Sequence, residues 1–315
     1  MAVPVYVCVP VYNGGPTIRQ TLHNLLQQTF EDFQVLVYDD GSTDRTAGIV
    51  GQFVAKDSRI TLLSGETNLG RGAARNRLLQ AARDGLIAWQ DADDIWNPIK
   101  LEQQLAFFAS FKERAIDPAA AVMISTFNRK GNGDEAMISK RTPPAAYDAA
   151  FVLGESYNSC PFQLQATLGL ASVYLDAGGF DETLNWAEDL DIALRFLSRG
   201  VSIVPHRCER ALATYHHSLA GAEGDLVQRA QDTLRDKHRA FALANGVDID
   251  ELFTDRRLTY LFSIYLNNRQ YIHALSSTLV TVFPDEEAKL KMISRNIIEI
   301  FKAMIRDHDD THPRG

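Results

Sequence analysis

The chain has 315 residues, 45% of them hydrophobic and 23% charged, with 32 Lys and Arg against 40 Asp and Glu for a formal net charge of -8. That acidic balance excludes a general nucleic-acid binder, which needs a basic excess, and no apolar run approaches the ~18 residues of a membrane span. Three scattered cysteines, Cys8, Cys160 and Cys208, are too few for a disulfide framework or a Cys-rich zinc site; with no signal-like N-terminus, the expectation is a cytoplasmic protein in a reducing compartment.

Val3 to Val9 is an almost continuous apolar run ending at Pro10, the pattern of a strand buried on both faces of a parallel sheet. Ile18, Leu22, Leu25 and Leu26 then recur at helical spacing within Thr17 to Gln28. Phe33 to Tyr38 reads as a second strand, stopped by the turn-forming Asp39-Asp40-Gly41-Ser42. Ser42 or Asp44 is placed to cap a helix running to about Lys56. Arg59 to Leu63 is a third strand, Arg71 to Arg83 a helix, and Leu86 to Gln90 a fourth strand leading into Asp91-Ala92-Asp93-Asp94. Strands separated by helices imply right-handed crossovers and a doubly wound, mostly parallel sheet.

Asn97 to about Arg114 reads as a helix with Pro98 early in it, and Ala120 to Phe127 as a strand. Asn128 to Pro161, with Lys130-Gly131-Asn132-Gly133 and Pro143-Pro144, reads as a hairpin and long loops, which are often functional. A helix over Ala187 to Ser198, a strand near Val201 to Val204 and a strand-like stretch over Ala211 to Tyr215 follow, and the pattern is helical from Gly221 onward. The expected division is residues 1–220 as the catalytic domain, with a nucleotide-sugar half over 1–95 and an acceptor half over 96–220, and a helical region over 221–315.

Ligands bind at the carboxyl ends of strands in an open parallel sheet. Those ends carry Pro10-Val11-Tyr12-Asn13, Asp39-Asp40-Gly41-Ser42 and Asp91-Ala92-Asp93. Each alone has a plain structural reading as a strand stop or turn; their placement on one rim is what points to a site. Two carboxylates one residue apart suit a hard cation, Mn²⁺ or Mg²⁺, whose remaining positions take water and phosphate. Such an ion would neutralise a diphosphate leaving group. Arg71 and Arg75, near the start of a helix, could add cationic contacts or simply face solvent.

With these segments in order, the sequence resembles the inverting GT-A glycosyltransferases of family 2. The resemblance rests on Val9-Pro-Val-Tyr-Asn13, Gln28-Thr-Phe30, Asp39-Asp-Gly-Ser-Thr-Asp44, Asn68-Leu-Gly70, Ala74-Arg-Asn76, Asp91-Ala-Asp-Asp94, Gly178-Gly-Phe-Asp181 and Ala187-Glu-Asp-Leu-Asp191, spread over roughly residues 3 to 200. It implies that Pro10 and Tyr12, with Asn13 beside them, line a nucleotide-base pocket and that Asp40 hydrogen-bonds the base of a UDP or dTDP donor. It further implies Asp91 near the donor ribose and sugar, Asp93 on the metal, and Asp189 as the base that deprotonates the acceptor hydroxyl, supported by Glu188. A histidine near the metal or diphosphate is also implied, with His216 preferred to His217. Trp186 is either a ring to stack on sugar or a core residue. Helix capping is the plain alternative for Glu188-Asp189.

A Rossmann dehydrogenase needs Gly-x-Gly-x-x-Gly after the first strand, where this chain has Pro-Val-Tyr-Asn-Gly-Gly. A sugar nucleotidyltransferase would show a Gly- and Arg-rich phosphate loop near the N-terminus. A non-catalytic sugar- or nucleotide-binding module has no use for the Glu188-Asp189 pair. The acceptor is expected to be a carbohydrate or lipid-linked glycan in polysaccharide, lipopolysaccharide or other glycoconjugate synthesis, with nucleic acid excluded. Residues 289–306 carry Lys289, Lys291, Arg295, Lys302 and Arg306 against Glu299, with apolar residues at helical spacing. That is a candidate peripheral contact with the cytoplasmic face of a membrane, or a helix packing its stripe on the domain.

Overall fold

The computed structural model describes residues 3–131, 138–155, 162–216, 224–250 and 299–300. Strand and helix alternate first as β1 (Val5–Val11), α1 (Ile18–Leu25), β2 (Gln34–Asp39), α2 (Thr46–Val54), β3 (Ile60–Ser64), α3 (Arg71–Ala81) and β4 (Leu86–Trp89). There follow β5 (Ile95–Trp96), α4 (Lys100–Ala109), β6 (Ala121–Ser125), β7 (Phe127–Lys130), β8 (Ile138–Arg141), α5 (Ala149–Glu155), β9 (Thr167–Leu170) and α6 (Ala171–Asp176). The last described elements are α7 (Glu188–Ser198), β10 (Ser202–His206), β11 (Ala213–His216) and α8 (Gly224–Ala244).

Seven strands form one sheet in the order β10-β6-β9-β4-β1-β2-β3. All its pairs are parallel except those of β9, which runs antiparallel to β4 and β6. The apolar run of β1 is explained by its central place: Cys8 lies between Leu36 of β2 and Trp89 of β4. Val7, Cys8, Val9, Val35, Val37, Ile87 and Trp89 are fully buried. Burying a large apolar side chain contributes about 1.5–3 kcal/mol, so this layer anchors the domain. On α1 the buried residues Ile18, Thr21, Leu22 and Leu25 recur at helical spacing and face the core.

The order 3-2-1-4 reverses direction between β1 and β4. Such a switch point opens a crevice at the carboxyl ends of the two strands, which here carry Tyr12-Asn13 and Asp91 to Asp94. Pro10 is tolerated inside a central strand because β4 ends opposite Cys8, at Trp89, so only β2 flanks it.

Several elements differ from the sequence expectation. The strand expected over Ala120 to Phe127 divides at Thr126. There the chain leaves the main sheet and β7 joins a second sheet of order β5-β11-β7-β8. Thr126 pins the crossing: its N–H donates to His206 O at 3.2 Å and its carbonyl accepts from Leu212 N at 2.8 Å. Pro98 stands in the turn before α4, not in the helix, where its carbonyl accepts from Thr29 N at 2.9 Å. Strand β9 had no sequence signal because buried glutamines, Gln163 and Gln165, lead into it and Gly169 interrupts it.

The chain divides into two units, Met1–Ser218 and Leu219–Gly315. In the second, α8 buries Val227, Ala230, Gln231, Leu234 and His238 along one stripe. His217, Cys160 and, apart from Glu299 and Ile300, the segment 289–306 lie outside the described residues. No helix among the described residues is long and apolar enough to cross a membrane.

Candidate active site

The loops after β1 and β2 are tied to each other. Asn13 takes the left-handed conformation with φ of 50°, which Asn accepts more readily than most residues. This lets Asn13 N donate to Ser42 Oγ at 2.8 Å while Asn13 Oδ1 accepts from Thr43 N at 2.9 Å. Asp44, expected as a helix cap, accepts from both Gly15 N at 3.0 Å and Thr46 N at 2.9 Å. Tyr12 is 46% exposed, an open ring at the rim.

Asp40 is buried, and its carboxylate accepts from Leu69 N at 3.1 Å and Gly70 N at 2.8 Å. These bonds hold the turn that opens α3. Gly41 between these loops has φ of +70°, and a Cβ there would lie 2.6 Å from the Thr67 carbonyl carbon. Only glycine fits both the conformation and the approach.

Arg75 is placed differently from a solvent-facing phosphate contact. It is buried, with one guanidinium nitrogen on Glu188 and another 3.0 Å from Asp91 Oδ1. The other oxygen of Asp91 accepts from Gln165 Nε2. One arginine therefore joins the loop after β4 to the first residue of α7. Arg71, one turn earlier, is exposed; the Glu188 and Asp91 charges raise its pKa.

The Glu188-Asp189 pair opens α7 after Ala187, which holds the left-handed conformation at φ of 59°. Burial opposes ionisation of Glu188, but the Arg75 and Arg71 charges prevail and hold its pKa below the ordinary value. Asp189 responds in the opposite direction: burial, and then the adjacent Glu188 charge, push it up to about 7. A carboxylate poised near neutrality suits proton abstraction. Further along α7, Asp191 binds Arg195 at 2.8 Å, and Arg195 donates to Ala177 O at 2.6 Å, clamping the helix to the glycine turn at Gly178.

Asp93 is exposed, and its pKa is raised by desolvation and by Asp91. Asp94, which had no role in the sequence reading, is buried and accepts from His216 N at 2.8 Å. His216 Nδ1 lies 3.6 Å from the same Asp94 oxygen. The strand pair β5–β11 brings these residues together, a contact no local sequence signal announces. Gln165 was missed for the same reason.

Among the described residues no group of three or more His, Cys, Asp or Glu converges to hold a metal ion. Both oxygens of Asp91, expected near the donor and the metal, accept N–H donors, Oδ1 from Arg75 and Oδ2 from Gln165. Asp93 has the right chemistry for one carboxylate on a hard cation whose other ligands are phosphate and water, and His216 is its neighbour. The donor set fits a cation delivered with a diphosphate and held by Asp93, rather than a closed protein cage.

Residues 6–158 match the family model described as Glycosyl transferase family 2. The Escherichia coli UDP-Glc:alpha-D-GlcNAc-diphosphoundecaprenol beta-1,3-glucosyltransferase WfgD is 41% identical over 102 residues, 32% of this chain and 40% of that protein. Several curated relatives are matched over about two fifths of their own length. Staphylococcus aureus TarS 1-349, solved with UDP-GlcNAc, superposes with a TM-score of 0.58 at 21% identity, covering 87% of this chain and 79% of that one. The Pyrobaculum calidifontis mannosyltransferase PcManGT, solved with GDP-Man and Mn²⁺, gives 0.54 at 17% identity, covering 98% and 88%. The ordered motifs, the switch-point crevice and these likenesses agree: residues 6–158 match glycosyl transferase family 2, and the chain carries a GT-A fold.

Proposed function

We propose that the chain transfers a sugar, with inversion, from a nucleoside-diphosphate donor to a hydroxyl of a glycan acceptor, free or lipid-linked. The observation that carries this reading is the Arg75 bridge between Asp91 and Glu188. It holds the donor-side aspartates and the Glu188-Asp189 pair at one place, which a binding module would not need. UDP is the favoured nucleotide, since WfgD is named for UDP-Glc and TarS was solved with UDP-GlcNAc.

In this reading Asp189 accepts the proton of the acceptor hydroxyl as its oxygen attacks the anomeric carbon, and the nucleoside diphosphate leaves from the opposite face. No covalent enzyme intermediate is required, because one displacement inverts the centre. Glu188, kept ionised by Arg75 and Arg71, raises the basicity of Asp189. Asp93 is the residue to hold Mn²⁺ or Mg²⁺, and the ion would supply positive charge to the leaving diphosphate. Tyr12 and Pro10 offer the apolar wall for the base.

The test is a hydrolysis and transfer screen across UDP-, dTDP- and GDP-sugars with and without Mn²⁺. Slow release of one nucleoside diphosphate is expected; none from any donor would overturn the reading. The membrane contact proposed for 289–306 is tested by co-sedimentation with anionic vesicles, comparing the full chain with a truncation at about residue 285. Equal sedimentation would remove it.

A further inference from the structure

We propose that Lys130 is a cationic contact for the diphosphate of the nucleotide donor. The proposal rests on the nucleotide-sugar reading above and adds a residue that neither the motifs nor that reading assigns.

The placement follows from the second sheet. Strands β7 and β11 run parallel, with Thr214 opposite Asn128, Tyr215 opposite Arg129 and His216 opposite Lys130. Residues in register on neighbouring strands project to the same face, and the alternation along each strand separates them from Tyr215 and Arg129 on the other face. Lys130 therefore flanks His216, close enough for its charge to act on the imidazole. His216 in turn is tied through its N–H to Asp94 and is felt by Asp93. Adjacent strands lie about 4.8 Å apart, so a flexible four-carbon stem ending in a point charge can sweep the space beside Asp93.

Of the other cations, Arg71 is exposed and faces the Glu188 and Asp91 charges, while others are held. Arg75 is buried on Glu188 and Asp91, Arg195 is held by Asp191, and Lys140 donates to Glu209 O. Lys130 is half-exposed and makes no ion pair among the described residues. An ammonium flanking His216, which is itself near the open Asp93 carboxylate, is what a diphosphate needs in a protein of net charge -8. The Asp93-held cation would neutralise one part of it, and a lysine acting as a point charge would bind a remaining oxyanion.

The experiment measures binding of UDP, dTDP and GDP, and of their parent nucleosides, to the full chain by calorimetry in the presence of Mn²⁺. The variants are Lys130→Gln and Lys130→Arg, with thermal midpoints confirming the fold. For the nucleotide that wild type prefers, Lys130→Gln should weaken diphosphate binding about ten-fold, Lys130→Arg should restore most of it, and nucleoside binding should not change. Unchanged diphosphate affinity in Lys130→Gln, or an equal loss with the nucleoside, overturns the proposal while the nucleotide-sugar reading stands. If wild type binds none of the diphosphates, the broader reading fails and this one with it.

Discussion

At the scale of single residues, the neighbours Glu188 and Asp189 shift in opposite directions, and the proposed chemistry rests on that difference. Two adjacent carboxylates cannot both be cheaply ionised in a buried setting. Arg75 and Arg71 select Glu188 as the charged partner, and its charge then pushes Asp189 up to about 7. A base must be deprotonated to act, so kcat/KM should fall as pH drops below about 7 and level off above it. A profile flat from about pH 5.5 to about pH 8 would contradict this. Asp189→Asn should abolish transfer while donor affinity stays within about two-fold, because only an interaction made in the transition state is lost. Arg75 is the residue whose loss should be felt in folding. Arg75→Met strands Glu188 and Asp91 without their partner, and breaking a buried ion pair on one side costs about 3–5 kcal/mol. The urea midpoint measures it; an unshifted midpoint would show that the bridge is not structural.

At the scale of elements, the loops after β1 and β2 and the turn before α3 behave as one assembly. Asp39 caps the turn by accepting from Ser42 N at 3.0 Å, Asp40 holds Leu69 and Gly70, and Asn13 and Asp44 cross-link the first two loops. Gly41 sits where a Cβ would strike the Thr67 backbone, at a φ that side chains avoid. Gly41→Ala should therefore destabilise the domain by about 1–3 kcal/mol and weaken donor binding as well, read by thermal midpoint and calorimetry together. The Asp-Asp-Gly-Ser run was legible as a turn from composition; what the glycine avoids was not, because Thr67 is remote in sequence. In the same way α7 was legible from its spacing. The buried clamp from Asp191 through Arg195 to Ala177 O needed the folded chain to be seen.

At the scale of the whole molecule, an acidic chain is expected to handle an anionic donor, and the resolution is local. Residues 222–315 hold 13 Lys and Arg against 15 Asp and Glu, so most of the negative excess belongs to the remainder of the chain. Net charge governs solubility and long-range steering; a bound cation and a few positioned side chains govern the crevice. Removing divalent metal should weaken nucleoside-diphosphate binding. In Asp93→Ala, binding should become weak and insensitive to added Mn²⁺. If calorimetry showed the same Mn²⁺ dependence in Asp93→Ala as in wild type, Asp93 would not be the ligand.

The sequence by itself determined the alternation of strand and helix, the doubly wound sheet and the rim on which the aspartates lie. These follow from apolar periodicity and turn chemistry, which are local. Only the tertiary structure decided which side chain meets which. Arg75 turned inward to bridge Asp91 and Glu188, Asp40 came to hold the backbone amides before α3, and Asp94 and Lys130 came to flank His216. Each of these contacts joins residues far apart in the chain, and a buried charge takes its role from the partners that desolvation forces on it, not from its neighbours in sequence.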